Sequence, residues 1–565
     1  MRSTKFITRL KDLALLALLV LAMALPGLNG LPVIDRDEAR YAQASAQMLE
    51  TGDYINIRFQ DQARNKKPAG AYWAQAASVN MFSSVEAREI WAYRLPSVLA
   101  ALLAVFATYF GGIRLLGRQS AVIGAALLAV SMIFVFEAHI AKTDALLCGF
   151  TALAFAALAN LRNPKNPNGK GRLAALVFWF AIGCAVMVKG PLLPLLVLLT
   201  LISLWVWERS LVWAKPLLFW LGPILFLAIV TPWMVMIWQE TNGAFFKDAL
   251  GGDLAPKLKG GHETHGGPPG FYTVFTNLTF WPGSLFLLAG LGFAWRAASG
   301  KDKTAVIGRS ARFLLSWSLP FFILLEIIPT KLPHYPLPVY PAFALMCGAA
   351  ISALSRLDEF KTMRRIGAGL FAVFSTVLVA GLLGGEAYYG EFPTFTFGLL
   401  GLGLVGCYYA AIKFWNGQSV KAFWSSLVAA ALISIPTYAL TLPSLNSLAL
   451  AGGVKSALAD AGIETPNTDI NIYSPQISEP SFVFMLGTDI TVAQSEALTA
   501  NAVLKPNDIV IFENLRTDMD GYKAKVESVH ELAGICLKPM TTVEGTNYAN
   551  GDEVALEVNR AVVCE

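Results

Sequence analysis

Apolar runs of about 17 to 25 residues recur along the first 442 positions with short polar connections between them, and each is long enough to cross a hydrocarbon core. The first lies near 12–33. Others follow near 92–113, 119–138, 144–160, 173–189, 191–207, 216–238, 271–295, 313–329, 336–355, 366–388, 394–413 and 422–442, about thirteen spans in all. The first run follows Arg2, Lys5, Arg9 and Lys11, as a signal peptide would, but no small-residue cleavage site succeeds it. We therefore read it as a retained helix. The pattern predicts a polytopic α-helical membrane protein over 1–442. Past residue 443 the pattern changes: "TDINIYSPQ", "NDIVIFENLR" and "EVALEVNRAVVCE" read as short strands, and 451–461, 478–486 and 521–533 as helices. That is enough chain for a separate α/β domain with its own core over 443–565.

Composition agrees with this division: 55% of the 565 residues are hydrophobic and only 15% charged. The net charge of +5 says less than where the charges fall. With the N-terminus inside, alternate loops and the N-terminal segment hold 23 of the 44 Lys and Arg, which orients every loop by the positive-inside rule. The opposite side then carries the long loops 34–91 and 239–270, the turn at 330–335 and the C-terminal domain. Cys148, Cys184, Cys347 and Cys407 lie in spans, where small apolar packing is the default. Cys536 and Cys564 lie on the outer, oxidising side, where a disulfide is allowed. No Walker loop, Rossmann glycine pattern or internal repeat is present, which argues against a nucleotide-driven pump.

The first outer loop concentrates the chemistry. In "VIDRDEARYAQASAQMLETGDY", Asp37, Arg40 and Tyr41 fall at helical spacing, while Ala39, Ala42, Ala46 and Leu49 form an apolar face, so 37–50 is predicted as a helix along the membrane surface. Asp37 would sit at its start, where a plain helix cap is the competing role. Downstream, Arg58, Arg64, Lys66 and Lys67 place positive charge on the outer side, where it is disfavoured unless an anion such as a lipid phosphate receives it. Simple attraction to headgroups is the alternative. Asp144, at the mouth of a span, also reads as a cap, and Pro333 and Pro336 around His334 read as a rigid turn.

The segment "RDEARYAQASAQMLETGDY...IRF...NKKPAGAYW" resembles the first outer loop of the bacterial aminoarabinose transferase and protein O-mannosyltransferase superfamily, membrane glycosyltransferases of the GT-C type that use polyprenyl-phosphate sugars. "AHIAKTDALL" at 138–147, "HGGPPGFYTVFTNLTFWPGS" at 265–284 and "PTKLPHYPLPVYPAFALM" at 329–346 extend the resemblance in order through most of the membrane part. The resemblance implies catalytic roles for Asp37 and Asp144, donor-phosphate binding by Lys67, Arg58 and Lys66, and a substrate cavity lined by Glu38, Arg40, Tyr41, Lys331, His334 and Tyr335. It also implies a bacterial inner-membrane protein whose C-terminal domain is periplasmic. Many aminoarabinose transferases carry Glu immediately before the lysine. Here the pair is Lys66-Lys67, which removes a metal ligand at that point. "GGHETHGG" still offers His262, Glu263 and His265 as metal-ligand types, although the stretch reads first as a loop closing over donor or acceptor.

The implied reaction is inverting transfer of one sugar from a polyprenyl-phosphate donor to an envelope acceptor, lipid A or lipopolysaccharide core, with protein O-mannosylation as the neighbouring alternative. Membrane lipid is a partner, and nucleic acid is not. Activation resides in the donor, so no cofactor is called for, and a divalent metal is a minor alternative. From another class, thirteen spans and cationic loops also permit a transporter or flippase. Transporters, however, carry ionisable groups near mid-membrane and inverted repeats, whereas here the distinctive charge gathers at one face.

Overall fold

The computed structural model describes residues 2–162, 170–256, 266–300, 306–353, 359–390, 394–466, 469–477, 479–493, 498, 504–513, 519–531, 533–547 and 551–564. Among these, eight helices are long and apolar enough to cross a membrane, or nine if Arg118–Ala129 and Met132–Ala138, bent by 62°, form one broken span. Three shorter apolar helices, Leu192–Glu208, Ser284–Ser299 and Leu337–Ser352, and the first helix, Arg2–Ala24, fill the remaining predicted runs. The run expected at 271–295 is two helices, Phe271–Thr279 and Ser284–Ser299, interrupted at Pro282. Proline supplies no N–H for a continuing helix, which accounts for the break.

The first loop folds onto the membrane helices. Its helix, Asp37–Thr51, carries Asp37 and Glu38 in the first turn, where carboxylates suit the exposed N–H groups. It ends at Gly52, whose left-handed φ of 71° lets its N–H bond Met48 O. Two expectations need correction. Asp37 does not cap the helix: the cap position is Arg36, at φ 68°, and no side chain bonds there. Nor does the helix lie open on a surface, because Glu38, Ala39 and every residue from Tyr41 to Met48 is buried. The Gly70–Phe82 helix covers one flank, and Phe484 of the C-terminal domain joins Ala42, Ala46 and Tyr93 in one apolar cluster.

That domain is a five-stranded sheet in the order Thr491–Val492, Ile472–Ser474, Ile509–Glu513, Asp552–Val563, Ile535–Asn547, parallel across the first three strands and antiparallel thereafter. The central strand is buried at all five positions. Ile509 and Ile511 enter the core shared with the helices Leu450–Asp460 and Pro480–Leu486, while Val510 and Phe512 enter the core with Val526 on the other side. The three helices and three strands predicted are present. Thr491–Val492 and the edge strand Ile535–Asn547 are additions, and the latter carries Pro539 at an irregularity where an edge tolerates it. Cys536 and Cys564 form a disulfide that closes this hairpin.

Candidate active site

Five ionisable side chains from three parts of the chain meet beneath the first loop. Asp144, first residue of the Asp144–Leu161 helix, accepts a hydrogen bond of 2.6 Å from Lys189 Nζ, the last residue of Lys170–Lys189. Its other oxygen lies 3.7 Å from His334 Nε2 and 3.9 Å from Lys142 Nζ. Lys142 Nζ in turn lies 3.0 Å from Glu137 Oε1 and 3.5 Å from His334 Nδ1. Asp144 is therefore an ion-pair centre rather than a cap. Such a cluster holds only while each charge keeps its partner, since stripping a partner from a buried pair costs about 3–5 kcal/mol. Burial dominates at His334 and, with the cations Lys142 and Lys189, pushes its imidazole down to about 3 against the pull of Asp144, so the ring is neutral at physiological pH. Burial also works against the charge of Lys142, but Glu137, then Asp144 and Asp37, raise it above the ordinary lysine range.

Asp37 is the exposed member of the assembly. Its charge bears on Lys142, His334, Tyr41, Tyr72 and Arg64, so it belongs to the same electrostatic neighbourhood. Tyr41 is buried and stacks on Tyr72 with centroids 4.8 Å apart. Arg64 donates 3.2 Å to Tyr72 Oη and lies 5.2 Å over the Tyr41 ring. Tyr335 packs beside His334, and its ring centre is 5.6 Å from Lys189 Nζ. Lys67 is half-buried and Lys66 exposed, in the turn that leads into the Gly70–Phe82 helix. The turn is held close by Gly70, where a Cβ would stand 2.7 Å from Met187 O, two residues before Lys189.

Three expected residues lie elsewhere. Glu38 is buried in a two-armed pair with Arg94, at 2.8 Å on each arm, and accepts the N–H groups of Ile34 and Ala141, so it braces the loop instead of lining a cavity. Lys331 spends its ammonium on Leu325 O at 2.6 Å and Glu326 O at 2.7 Å, satisfying the end of the Val306–Ile327 helix. Arg58 is exposed in a two-residue strand paired with Ala63, and Arg64 is the arginine at the aromatic pair. Arg40 is half-buried and its charge reaches Asp35. His262, Glu263 and His265 lie outside the described residues, among which no group of three or more His, Cys, Asp or Glu could hold a metal ion. Sequence reasoning missed Glu137, Lys142 and Lys189. Two of them are charges inside or at the end of apolar runs, and an intramembrane ionisable group is by default a functional candidate.

Residues 13–244 match the family model described as dolichyl-phosphate-mannose-protein mannosyltransferase. The chain is 27% identical over 351 residues to undecaprenyl phosphate-alpha-4-amino-4-deoxy-L-arabinose arabinosyl transferase 1 of Pseudomonas fluorescens, covering 62% of this chain and 60% of that one. It is 24% identical over 382 residues to the corresponding transferase 2 of Proteus mirabilis, covering 65% of each. The chain thus spans about three fifths of the length of the curated relatives it matches. Among solved structures, ArnT from Cupriavidus metallidurans bound to undecaprenyl phosphate superposes over 98% of both chains with a TM-score of 0.72 at 17% identity, which establishes a shared fold.

Proposed function

We propose, from the chain's membership of the GT-C superfamily of aminoarabinose transferases and protein O-mannosyltransferases, that it moves a single sugar from a polyprenyl-phosphate donor to an envelope acceptor, lipid A or lipopolysaccharide core, at the periplasmic face of the inner membrane. The observation that carries this reading is the buried set of Asp144, Lys189, Lys142, Glu137 and His334, on which the charge of the exposed Asp37 bears, with the Lys66-Lys67 turn held against the same helix end. The relatives' names speak of undecaprenyl phosphate and 4-amino-4-deoxy-L-arabinose, which supports a lipid-linked amino-pentose as the first donor to try.

In the proposed reaction an acceptor oxygen attacks the anomeric carbon while the bond from that carbon to the phosphate oxygen breaks, which inverts the centre. Negative charge grows on the departing polyprenyl phosphate, where Lys67, with Lys66 nearby, stabilises it. Asp37 takes the proton of a hydroxyl acceptor, or orients a phosphate acceptor that has none to give. Asp144 and Lys189 hold the floor of the site. The Lys and Arg bias supports an inside N-terminus, with the first loop and the C-terminal domain outside.

The test is reconstituted transfer with Asp37→Asn. A lost general base lowers the rate by roughly 10² to 10⁴ while the protein inserts and melts normally. Full activity of Asp37→Asn on every acceptor used by the wild type would sink the assignment. Because the matching family model is described by protein mannosylation, an acceptor polypeptide with polyprenyl-phosphate mannose is the second pair to assay.

A further inference from the structure

His334 Nδ1 faces Lys142 Nζ at 3.5 Å, and its Nε2 faces Asp144 Oδ2 at 3.7 Å. An ammonium carries three N–H donors and no lone pair, so a ring nitrogen that meets it must accept. The neutral imidazole therefore holds its proton on Nε2. A competitor stands close by: Glu137 Oε1 lies 3.7 Å from the same Nδ1 and would draw the proton to that side if the ammonium were absent. The ammonium is kept in place by Glu137 itself, at 3.0 Å, with Asp144 3.9 Å away. Glu137 is fully buried, and no other described residue donates a hydrogen bond to its carboxylate. Glu137 thus anchors Lys142, and Lys142 fixes the tautomer of His334.

The other edge of the ring is thereby a donor. At 3.7 Å the Nε2–H and Asp144 Oδ2 are too far apart to bond each other, so a donor and an acceptor stand side by side without answering one another. His334 keeps 12% side-chain exposure, and Asp144 Oδ2 receives one hydrogen bond, of 3.4 Å from Thr143 Oγ1, so a lone pair remains to it. A hydroxyl fits such a pair, since it can accept from Nε2–H and donate to Oδ2 from one position. A phosphate oxygen has nothing to donate to the carboxylate, and an ammonium has no lone pair for the N–H. We propose, resting on the transferase reading above, that His334 Nε2–H and Asp144 Oδ2 bind one hydroxyl of the transferred sugar, and that Glu137 and Lys142 are positioning residues that set the His334 tautomer for it. In that reading Lys67 takes the phosphate and Asp37 the acceptor, which leaves the transferred sugar as the hydroxyl-bearing group at His334.

Long-range proton–nitrogen correlation spectra of the full-length protein, labelled with nitrogen-15 at its five histidines and assigned with His334→Ala, report which ring nitrogen carries the proton. Wild type at pH 7.5 should show His334 protonated at Nε2 and bare at Nδ1. Lys142→Met should move the proton to Nδ1, facing Glu137. Glu137→Leu/Lys142→Met, which removes the buried pair as a unit and so leaves no charge stranded, should give a mixture of the two tautomers. A wild-type ring protonated at Nδ1, or a tautomer unmoved by Lys142→Met in a folded protein, overturns the lock, and the wild-type spectrum alone decides if neither variant folds. The hydroxyl is read from transfer with monodeoxy forms of the donor sugar. One of them should lose about 10- to 100-fold in kcat/KM with the wild type. His334→Ala should lose as much with the parent sugar and nothing further with that deoxy donor, because one contact cannot be removed twice. Equal losses in His334→Ala for the parent and for every deoxy donor overturn the hydroxyl contact. A wild type that transfers no polyprenyl-phosphate sugar sinks the transferase reading and the sugar assignment with it, while the tautomer spectrum is unaffected.

Discussion

Lys189 Nζ sits 2.6 Å from Asp144 Oδ1 and joins the ends of two membrane helices directly beneath the first loop. Both partners are largely buried, at 14% and 5% side-chain exposure, so the loss of either charge strips the other of its nearest partner. Lys189→Met should lower stability by about 3–5 kcal/mol and abolish transfer, and the double variant Lys189→Met/Asp144→Leu should recover much of the stability without recovering transfer. Thermal melting and donor turnover of the three proteins separate the structural share of the pair from the chemical one.

Two lysines to which the resemblance gives binding roles, Lys67 at the donor phosphate and Lys331 in the substrate cavity, should behave oppositely. Lys331 bonds the last carbonyls of a helix, so Lys331→Ala should cost stability, about 1–3 kcal/mol for acceptors left unmatched, with little change in KM for the donor. Lys67 stands in the turn leading to the Gly70–Phe82 helix, and Lys67→Ala should leave melting unchanged while losing about 2–5 kcal/mol of transition-state stabilisation, read as a fall in kcat/KM. Wild-type transfer by Lys67→Ala would remove it from the site.

Gly70 offers a geometric test of the same turn. A methyl group there would meet Met187 backbone at 2.7 Å, and backbone cannot swing aside as a side-chain tip would. Gly70→Ala should push the Lys66-Lys67 turn away from Lys189, costing about 1–3 kcal/mol of stability and weakening donor binding. Gly52, with open space around it but a φ of 71°, supplies the contrast. Gly52→Asn should be tolerated, because asparagine accepts left-handed backbone and no contact is at stake.

The membrane part was legible because each span is a long apolar run whose length is dictated by the solvent it crosses. The helices of the C-terminal domain and the strand Ile509–Glu513 were legible from apolar residues bounded by turn formers. The strand Ile535–Asn547 was not: an edge strand needs little apolar surface, and Lys538, Pro539 and Gly545 disguise it. At the site, Asp37 and Asp144 stood out as acids at helix starts. The Asp144 partners Lys142 and Lys189 did not, since they approach through packing that no local spacing encodes, and His334 was singled out only by the resemblance. Arg58 and Arg64 look equivalent in the sequence, and only the two-residue hairpin between them decides which reaches Tyr72. Least legible is the grip of the C-terminal domain on the first loop, where Thr488 meets Gln43, Glu50 and Arg88 across 400 to 445 residues of chain.

That grip should depend on pH through Asp35. Burial raises its carboxyl to about 7, outweighing the two hydrogen bonds from Ser481, with Glu479 adding to the rise and Arg40 opposing it. The unfolded or undocked carboxyl releases its proton near the ordinary value of 3.8, well before the docked one does. Between those values the undocked state binds fewer protons, so docking weakens as pH rises toward 7 and levels off above it, and is strongest on the acidic side. Hydrogen-exchange protection factors for the Pro480–Leu486 helix, corrected for intrinsic rates, should therefore fall from pH 5 to pH 7.5 in the wild type. Asp35→Asn cannot ionise and keeps an acceptor for Ser481, so its protection should be flat across the range and exceed that of the wild type at pH 7.5. A wild-type profile that rises with pH, or an Asp35→Asn profile that tracks the wild type, would show that the docking energy comes from Phe484 and Thr488 alone.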